Sequence, residues 1–125
     1  MPFDGFYETD KVSVLKHAKD LVAKGWCQDS FKIYADGNSK AYCIIGAYRQ
    51  AFLDAHPELG MTAAHQQADS MFLHLFLNEL GVRFVLGGSD CVKRLADYND
   101  RPWRRHTSVL KLYTRVIGRL AAKPR

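Results

Sequence analysis

The stretch that decides the fold is residues 25–48, GWCQDSFKIYADGNSKAYCIIGAY, which contains two of the three cysteines and one of the two tryptophans. Apolar residues alternate with Lys and Tyr over residues 31–35, as they do in a half-buried strand. Asp-Gly-Asn at 36–38 favours a tight turn, because all three residue types tolerate positive φ. We therefore predict a small β-hairpin near residues 31–44, followed by a helix whose apolar face begins at Ile44.

Cys43 lies between the predicted hairpin and the predicted helix, where the helix dipole and free backbone N–H groups favour a thiolate. A thiolate nucleophile needs a histidine base, which His65 or His74 would supply and Asn99 would orient. The competing interpretation is that Cys43 packs beside Ile44 as a small apolar residue, the more common role of a free cysteine. The residue pattern favours this second interpretation.

Helical periodicity predicts four further helices outside this stretch. They are expected at about residues 10–24, 63–80, 90–98 and 108–122, with Thr62 and Thr107 as N-caps of the third and last helices. Residues 98–103 have the composition of a loop, and the apolar run 82–86 fits either a strand or an extended segment. The predicted fold is mainly α: a single-domain bundle of four to five helices over residues 1–125, with residues 1–8 as an N-terminal arm.

Several short motifs resemble a family of small bacterial and phage-associated proteins catalogued as a domain of unknown function. The motifs are Gly25-Trp26-Cys27-Gln28, Ala35-Asp36-Gly37, Tyr42-Cys43-Ile44-Ile45-Gly46-Ala47, Tyr98-Asn99-Asp100 and Thr107 before a Val-Leu helix. The family pattern has Gly at the position of Asp29, Trp at the position of Tyr98 and Arg at the position of His106. The resemblance implies no reaction. Its phage-associated members imply an accessory or host-modulating role.

Length and composition exclude several classes of protein. The 125 residues are enough for one domain with a real core, and no run approaches the ~18 apolar residues of a membrane-spanning helix. The N-terminus lacks the pattern of a signal peptide, which predicts a cytoplasmic protein with reduced thiols and no membrane partner. The three cysteines show no CxxC spacing and no cofactor motif is present, so neither a metal site nor a cofactor is expected.

Positive charge is concentrated towards the C-terminus. Residues 100–125 contain eight Lys or Arg against one Asp, a net charge of +7, whereas the whole chain carries +5 and the first 99 residues therefore −2. Such asymmetry indicates an acidic partner, either a protein surface or a nucleic acid. The residues expected to contact it are Arg101, Arg104, Arg105, Lys111, Arg115 and Arg119.

Two functions follow from these patterns. The first is a non-enzymatic binding module that uses the basic face of the C-terminal helix; the simpler interpretation of that face is a solvated helix surface. The alternative is a small cysteine-dependent enzyme with Cys43 as nucleophile, His65 as base and Asn99 as the orienting residue.

Overall fold

The computed structural model describes residues 8–35, 39–82 and 88–122 of the chain. Its elements, in chain order, are α1 (Glu8–Lys24), β1 (Lys32–Ala35), β2 (Ser39–Tyr42), α2 (Ile44–Ala55), a short 3₁₀ turn (Pro57–Leu59), α3 (Met61–Glu79), α4 (Gly88–Asp100) and α5 (His106–Ala121). The predicted mainly α bundle with one small hairpin is confirmed. No helix within the described ranges combines the length and apolar character needed to cross a membrane.

Backbone hydrogen bonds join the hairpin to the segment that follows α1. β1 and β2 pair antiparallel, with Lys32 opposite Tyr42. The backbone N–H of Tyr42 donates to Gly25 O at 2.9 Å, and that of Cys27 donates to Tyr42 O at 3.2 Å. A Cβ at Gly25 would lie 2.5 Å from Lys40 O, so only glycine lets the chain pass this close to β2. The predicted turn at residues 36–38 lies outside the described residues.

The core is built around α2 and α3. The first five residues of α2, 44–48, are all buried, and the helix packs against α1, α3 and α4. α3 packs against α2, α4 and α5, while α1 also packs against α5. The largest fully buried side chains are aromatic: Tyr48, Tyr113, Phe52, Phe72 and Phe76. Ring centroids of neighbouring aromatics lie 4.8 to 6.5 Å apart, which is normal for tilted and edge-to-face pairs.

Both predicted threonine caps are wrong. α3 begins at Met61 and its N-cap is Gly60, whose φ of 79° favours glycine, so Thr62 lies within the first turn. α5 begins at His106, with Arg105 as N-cap, and Thr107 again lies within the first turn. In α5 a tertiary contact accompanies the earlier start, since His106 Nε2 lies 2.6 Å from the backbone O of Val22.

The end of α4 also differs from the prediction. The composition of residues 98–103 predicts a loop that includes Asn99 and Asp100, but α4 continues through Asp100. Composition favoured a turn because Asn and Asp side chains commonly bond nearby backbone groups. Here three of the four hydrogen bonds of the Asn99 side chain go to residues more than 50 positions away in the sequence, and these bonds hold the last turn of the helix in place. Most of the apolar run 82–86 lies outside the described residues.

Candidate functional site

Asn99 is the one buried residue with an amide or charged side chain in the part of the chain that the structure describes. Its Oδ1 accepts hydrogen bonds from Trp26 Nε1 at 2.8 Å and from the backbone N–H of Ile44 at 3.2 Å. Its Nδ2 donates to Cys27 O at 3.0 Å and to Asp100 Oδ1 at 2.9 Å. An amide offers two lone pairs and two N–H groups, so all of its capacity is used.

The backbone next to Asn99 is also held by the segment that follows α1. Gln28 Nε2 donates to the backbone O of Asn99 at 3.0 Å and to that of Arg101 at 2.8 Å. The backbone N–H of Asp29 donates to Asp100 Oδ1 at 2.8 Å. These contacts join residues that stand 71 to 73 positions apart. The Gly-Trp-Cys-Gln and Tyr-Asn-Asp motifs therefore meet at one point. We call the residues that meet there the Asn99 cluster: Trp26, Cys27, Gln28, Ile44, Asn99 and Asp100.

Cys43 is the N-cap of α2, at the strand-to-helix junction where the sequence places it. Its Sγ accepts a hydrogen bond from the backbone N–H of Gly46 at 3.2 Å, and its side chain is buried. Burial raises the pKa of the Cys43 thiol to about 11, and this outweighs the N–H groups of Gly46 and Ile45, which lower it. The expected thiolate is therefore not favoured near neutral pH, because desolvation exceeds the effect of the helix N-terminus.

Gly46 lets the chain before β1 lie directly against the first turn of α2. A Cβ at position 46 would lie 1.8 Å from the backbone O of Phe31, far closer than non-bonded atoms approach one another. The same Phe31 oxygen accepts a hydrogen bond from the backbone N–H of Cys43 at 3.2 Å. The close approach fixes both the hairpin and the start of α2.

The two predicted base residues lie on α3. His65 is partly buried, and its pKa is lowered by burial and by the nearby Arg49 guanidinium, against the opposing effect of Asp69. Asp69 itself accepts hydrogen bonds from Tyr48 Oη at 3.0 Å and from Arg49 Nε and Nη2 at 3.0 and 2.6 Å. His74 is exposed on the same helix.

The predicted orienting role of Asn99 towards a histidine meets a geometric obstacle. The structure does bring Asn99 close to the Cys43–Ile44 junction, through the hydrogen bond from Ile44 N–H. However, the four bonds of the Asn99 amide already go to residues other than histidine. The amide can orient a histidine only after one of these bonds is broken.

Three of the six predicted binding residues make side-chain hydrogen bonds within the molecule. Arg115 Nε and Arg119 Nε donate to the two carboxylate oxygens of Glu79, at 3.2 and 2.5 Å. Arg104 Nε donates to Tyr98 O at 2.9 Å, and its guanidinium carbon lies 3.5 Å from the centre of the Tyr98 ring. The arginines of α5 thus connect this helix to α3, which leaves less free charge on the helix face than the sequence suggests.

The other three predicted residues, Arg101, Arg105 and Lys111, are exposed and have no ion-pair partner among the described residues. Arg101 and Arg105 belong to residues 101–105, Arg-Pro-Trp-Arg-Arg, which connect α4 to α5 and which we call the basic loop. Trp103, within this loop, is 68% exposed, and the Arg101 guanidinium carbon lies 5.6 Å from the centre of its ring. Of the six predicted binding residues, Arg101, Arg105 and Lys111 are therefore the ones whose charge is not compensated by an ion pair or a side-chain hydrogen bond within the described residues.

Sequence reasoning missed the exposure of Trp103, the Glu79 pairs and the role of Asn99. Glu79 pairs with arginines 36 and 40 positions away, which no helical spacing can reveal. The available signal for Trp103 is its place in a loop with three arginines.

Among the described residues, no group of three or more His, Cys, Asp or Glu stands close enough to hold a metal ion.

Comparison with known proteins gives a family without an assigned activity. No curated protein and no solved structure matches the chain. The model of one family, described as a family of unknown function (DUF6197), matches residues 7–119. The matched range contains the whole Asn99 cluster and every element described above except the last two residues of α5. Because it covers most of the 125 residues, the chain belongs to the family of unknown function DUF6197.

Proposed function

We propose that the protein is a non-enzymatic binding module that contacts an acidic partner, either a protein or a nucleic acid, through the basic loop and Lys111. The observation that carries the proposal is that Arg101, Arg105 and Lys111 are exposed without an ion-pair partner among the described residues, in the end of the chain with a net charge of +7. Unpaired cations attract polyanions by charge and by release of the counterions around them. We expect the encounter to take place in the cytoplasm.

The contact surface that we propose is smaller than the helix face expected from the sequence. Arg115 and Arg119 share one carboxylate, and Arg104 is stacked on Tyr98. Moving these cations to a partner would break contacts within the molecule, whereas Arg105 and Lys111 have none to lose among the described residues. We therefore expect Arg105 and Lys111 to contribute more to binding than Arg115 and Arg119.

Fluorescence anisotropy with three labelled polyanions tests the proposal: a ~12-nucleotide oligo-dT, a DNA duplex of the same length, and a polyglutamate peptide. We expect at least one to bind, with log K falling linearly as log salt rises from about 50 to 200 mM. Binding of none of the three, or binding that does not respond to salt, overturns the proposal.

Charge-removing variants locate the surface. For nucleic acid, Arg105→Gln and Lys111→Gln should each reduce the salt slope by about 0.7 to 0.9, the value for one lost phosphate contact. Lys16→Gln removes an equal charge from an exposed position on α1 and is the matched control, with an unchanged slope. Equal effects of all three substitutions would indicate general attraction to the molecule and not a defined surface.

The cysteine-dependent alternative, with Cys43 as nucleophile, stays a prediction. Its test is the rate at which iodoacetamide alkylates each cysteine in the folded protein, followed by mass spectrometry. Fast modification of Cys43 at about pH 6, well below the ordinary thiol pKa, would support an activated nucleophile. Modification of Cys43 only after unfolding, as its burial and raised pKa indicate, would remove the hypothesis.

A further inference from the structure

Trp103 is exposed on the basic loop although it has the largest apolar surface of any residue type. It is the most exposed of the large apolar side chains in the described ranges, at 68%. The apolar faces of α4 and α5 are buried without any contribution from Trp103, and their buried side chains include Leu95, Val109 and Leu112. Its ring is therefore available to a partner, and the folding of the bundle does not explain its presence.

The loop holds Trp103 on a fixed backbone. The backbone O of Arg101 accepts hydrogen bonds from Gln28 Nε2 at 2.8 Å and from the backbone N–H of Arg104 at 2.9 Å, which closes a turn around residues 102 and 103. Arg104 is held in turn by Tyr98. Because the turn is anchored to the Asn99 cluster, a partner that stacks on Trp103 does not have to order this backbone first.

The combination of an exposed ring with surrounding cations selects among acidic partners. A carboxylate surface can pair with Arg101 and Arg105 but offers no flat ring to the indole. A DNA duplex presents phosphates, while its bases are stacked on one another inside. A single strand offers both phosphates for the cations and unstacked bases for the ring, and such stacking accepts any base sequence. Arg101, already beside the ring, adds a cation–π contact.

We infer that the basic loop is a stacking platform for single-stranded nucleic acid, on which one base lies against Trp103 while Arg101 and Arg105 contact the flanking phosphates. This inference rests on the proposed function and deepens it, since it selects one class of acidic partner and assigns a role to a residue that is not charged.

The test uses the same full-length protein and the ~12-nucleotide oligo-dT, its duplex and the polyglutamate peptide, now with three variants. Trp103→Ala should weaken binding to oligo-dT by about 5- to 150-fold, the range measured for one lost base stack, with an unchanged salt slope. Trp103→Phe keeps a ring and should stay within about threefold of the parent protein. Met61→Ala, which removes an apolar side chain of 62% exposure on α3, should change nothing beyond about twofold.

Each result separates the inference from the proposed function. If oligo-dT binds and Trp103→Ala has no effect, or if duplex and single strand bind equally, the proposed function stands and the stacking platform is wrong. If polyglutamate alone binds, the partner is an acidic protein and the inference is again wrong. If no polyanion binds, both are overturned. Circular dichroism of each variant confirms that Trp103→Ala leaves the helices intact, as expected for an exposed residue.

Discussion

At the scale of single residues, Asn99 joins three segments that are distant in the sequence: the chain after α1, the start of α2 and the end of α4. Its side chain accepts hydrogen bonds from the Trp26 indole and the Ile44 backbone N–H and donates one to the Cys27 carbonyl. A residue of the same size that cannot both accept and donate hydrogen bonds cannot replace it. Asp would place a carboxylate oxygen against the Cys27 carbonyl, and Leu would leave all three groups without partners.

We predict that Asn99→Ala destabilises the protein by about 3 to 5 kcal/mol, because it leaves up to three buried polar groups unsatisfied at about 1 to 3 kcal/mol each. Urea denaturation followed by circular dichroism measures the change. The control is Asn78→Ala, an exposed asparagine on α3, which should shift stability by less than about 0.5 kcal/mol. A loss below about 1 kcal/mol for Asn99→Ala would show that the cluster is dispensable.

Asp29 has a φ of 64°, in the left-handed region that favours glycine, and it is the one non-glycine residue with positive φ among those described. We predict that Asp29→Gly raises the free energy of unfolding by about 0.5 to 1 kcal/mol by relieving this backbone strain. Ser30→Gly, the adjacent exposed position without positive φ, should give no gain. Equal gains at both positions would contradict a strain at residue 29.

At the scale of elements, the sequence predicts the five helices, and the predicted ends differ from the observed ones by at most two residues. The five helices follow from apolar residues at spacings of three and four, which local sequence contains. The start of α5 at His106 and the end of α4 at Asp100 are accompanied by hydrogen bonds to residues 55 or more positions away, which local sequence does not contain. The positions of the basic residues can be read directly from the sequence, but the pairing of Arg115 and Arg119 with Glu79 depends on how α3 and α5 pack.

Replacing two helical glycines, Gly46 and Gly118, by alanine should change the stability of the protein in opposite directions. Gly46→Ala should destabilise the protein by at least about 3 kcal/mol, because the new Cβ meets the Phe31 carbonyl and must displace the hairpin from α2. Gly118→Ala, within α5 and with no atom within 4 Å of the added Cβ, should stabilise by about 0.5 to 1 kcal/mol through helix propensity. Thermal unfolding of both variants measures the contrast. Changes of the same sign would refute the close approach at Gly46.

At the scale of the whole molecule, three buried acidic protons make the fold sensitive to alkali. The pKa of Cys43 is raised to about 11 and those of Tyr48 and Tyr113 are raised well above the ordinary value, in each case chiefly by burial. The folded protein therefore keeps these protons at a pH where the unfolded chain loses them. Stability from these groups is complete below the ordinary pKa values and falls as pH rises through them.

We predict that the free energy of unfolding declines above about pH 9, with each of the three groups adding up to about 1.4 kcal/mol per pH unit. Denaturant titrations between about pH 8 and 11 measure this slope. Cys43→Ala removes one titrating proton and should make the decline shallower over the same range, even though the variant starts from a lower stability because its helix cap is lost. An identical slope in both proteins would show that Cys43 does not titrate.

The packing of α1 against α5 has a consequence for how the protein is made. α1 is synthesised before α5, which covers part of it, and His106 at the start of α5 contacts Val22 near the end of α1. The part of the apolar side of α1 that packs against α5 therefore stays exposed until α5 has been synthesised. We predict that a chain ending at residue 104 is digested rapidly by protease, whereas the full chain resists. Protease resistance of the shorter chain would contradict this dependence on α5, which otherwise delays the completion of folding until the α5 segment has left the ribosome.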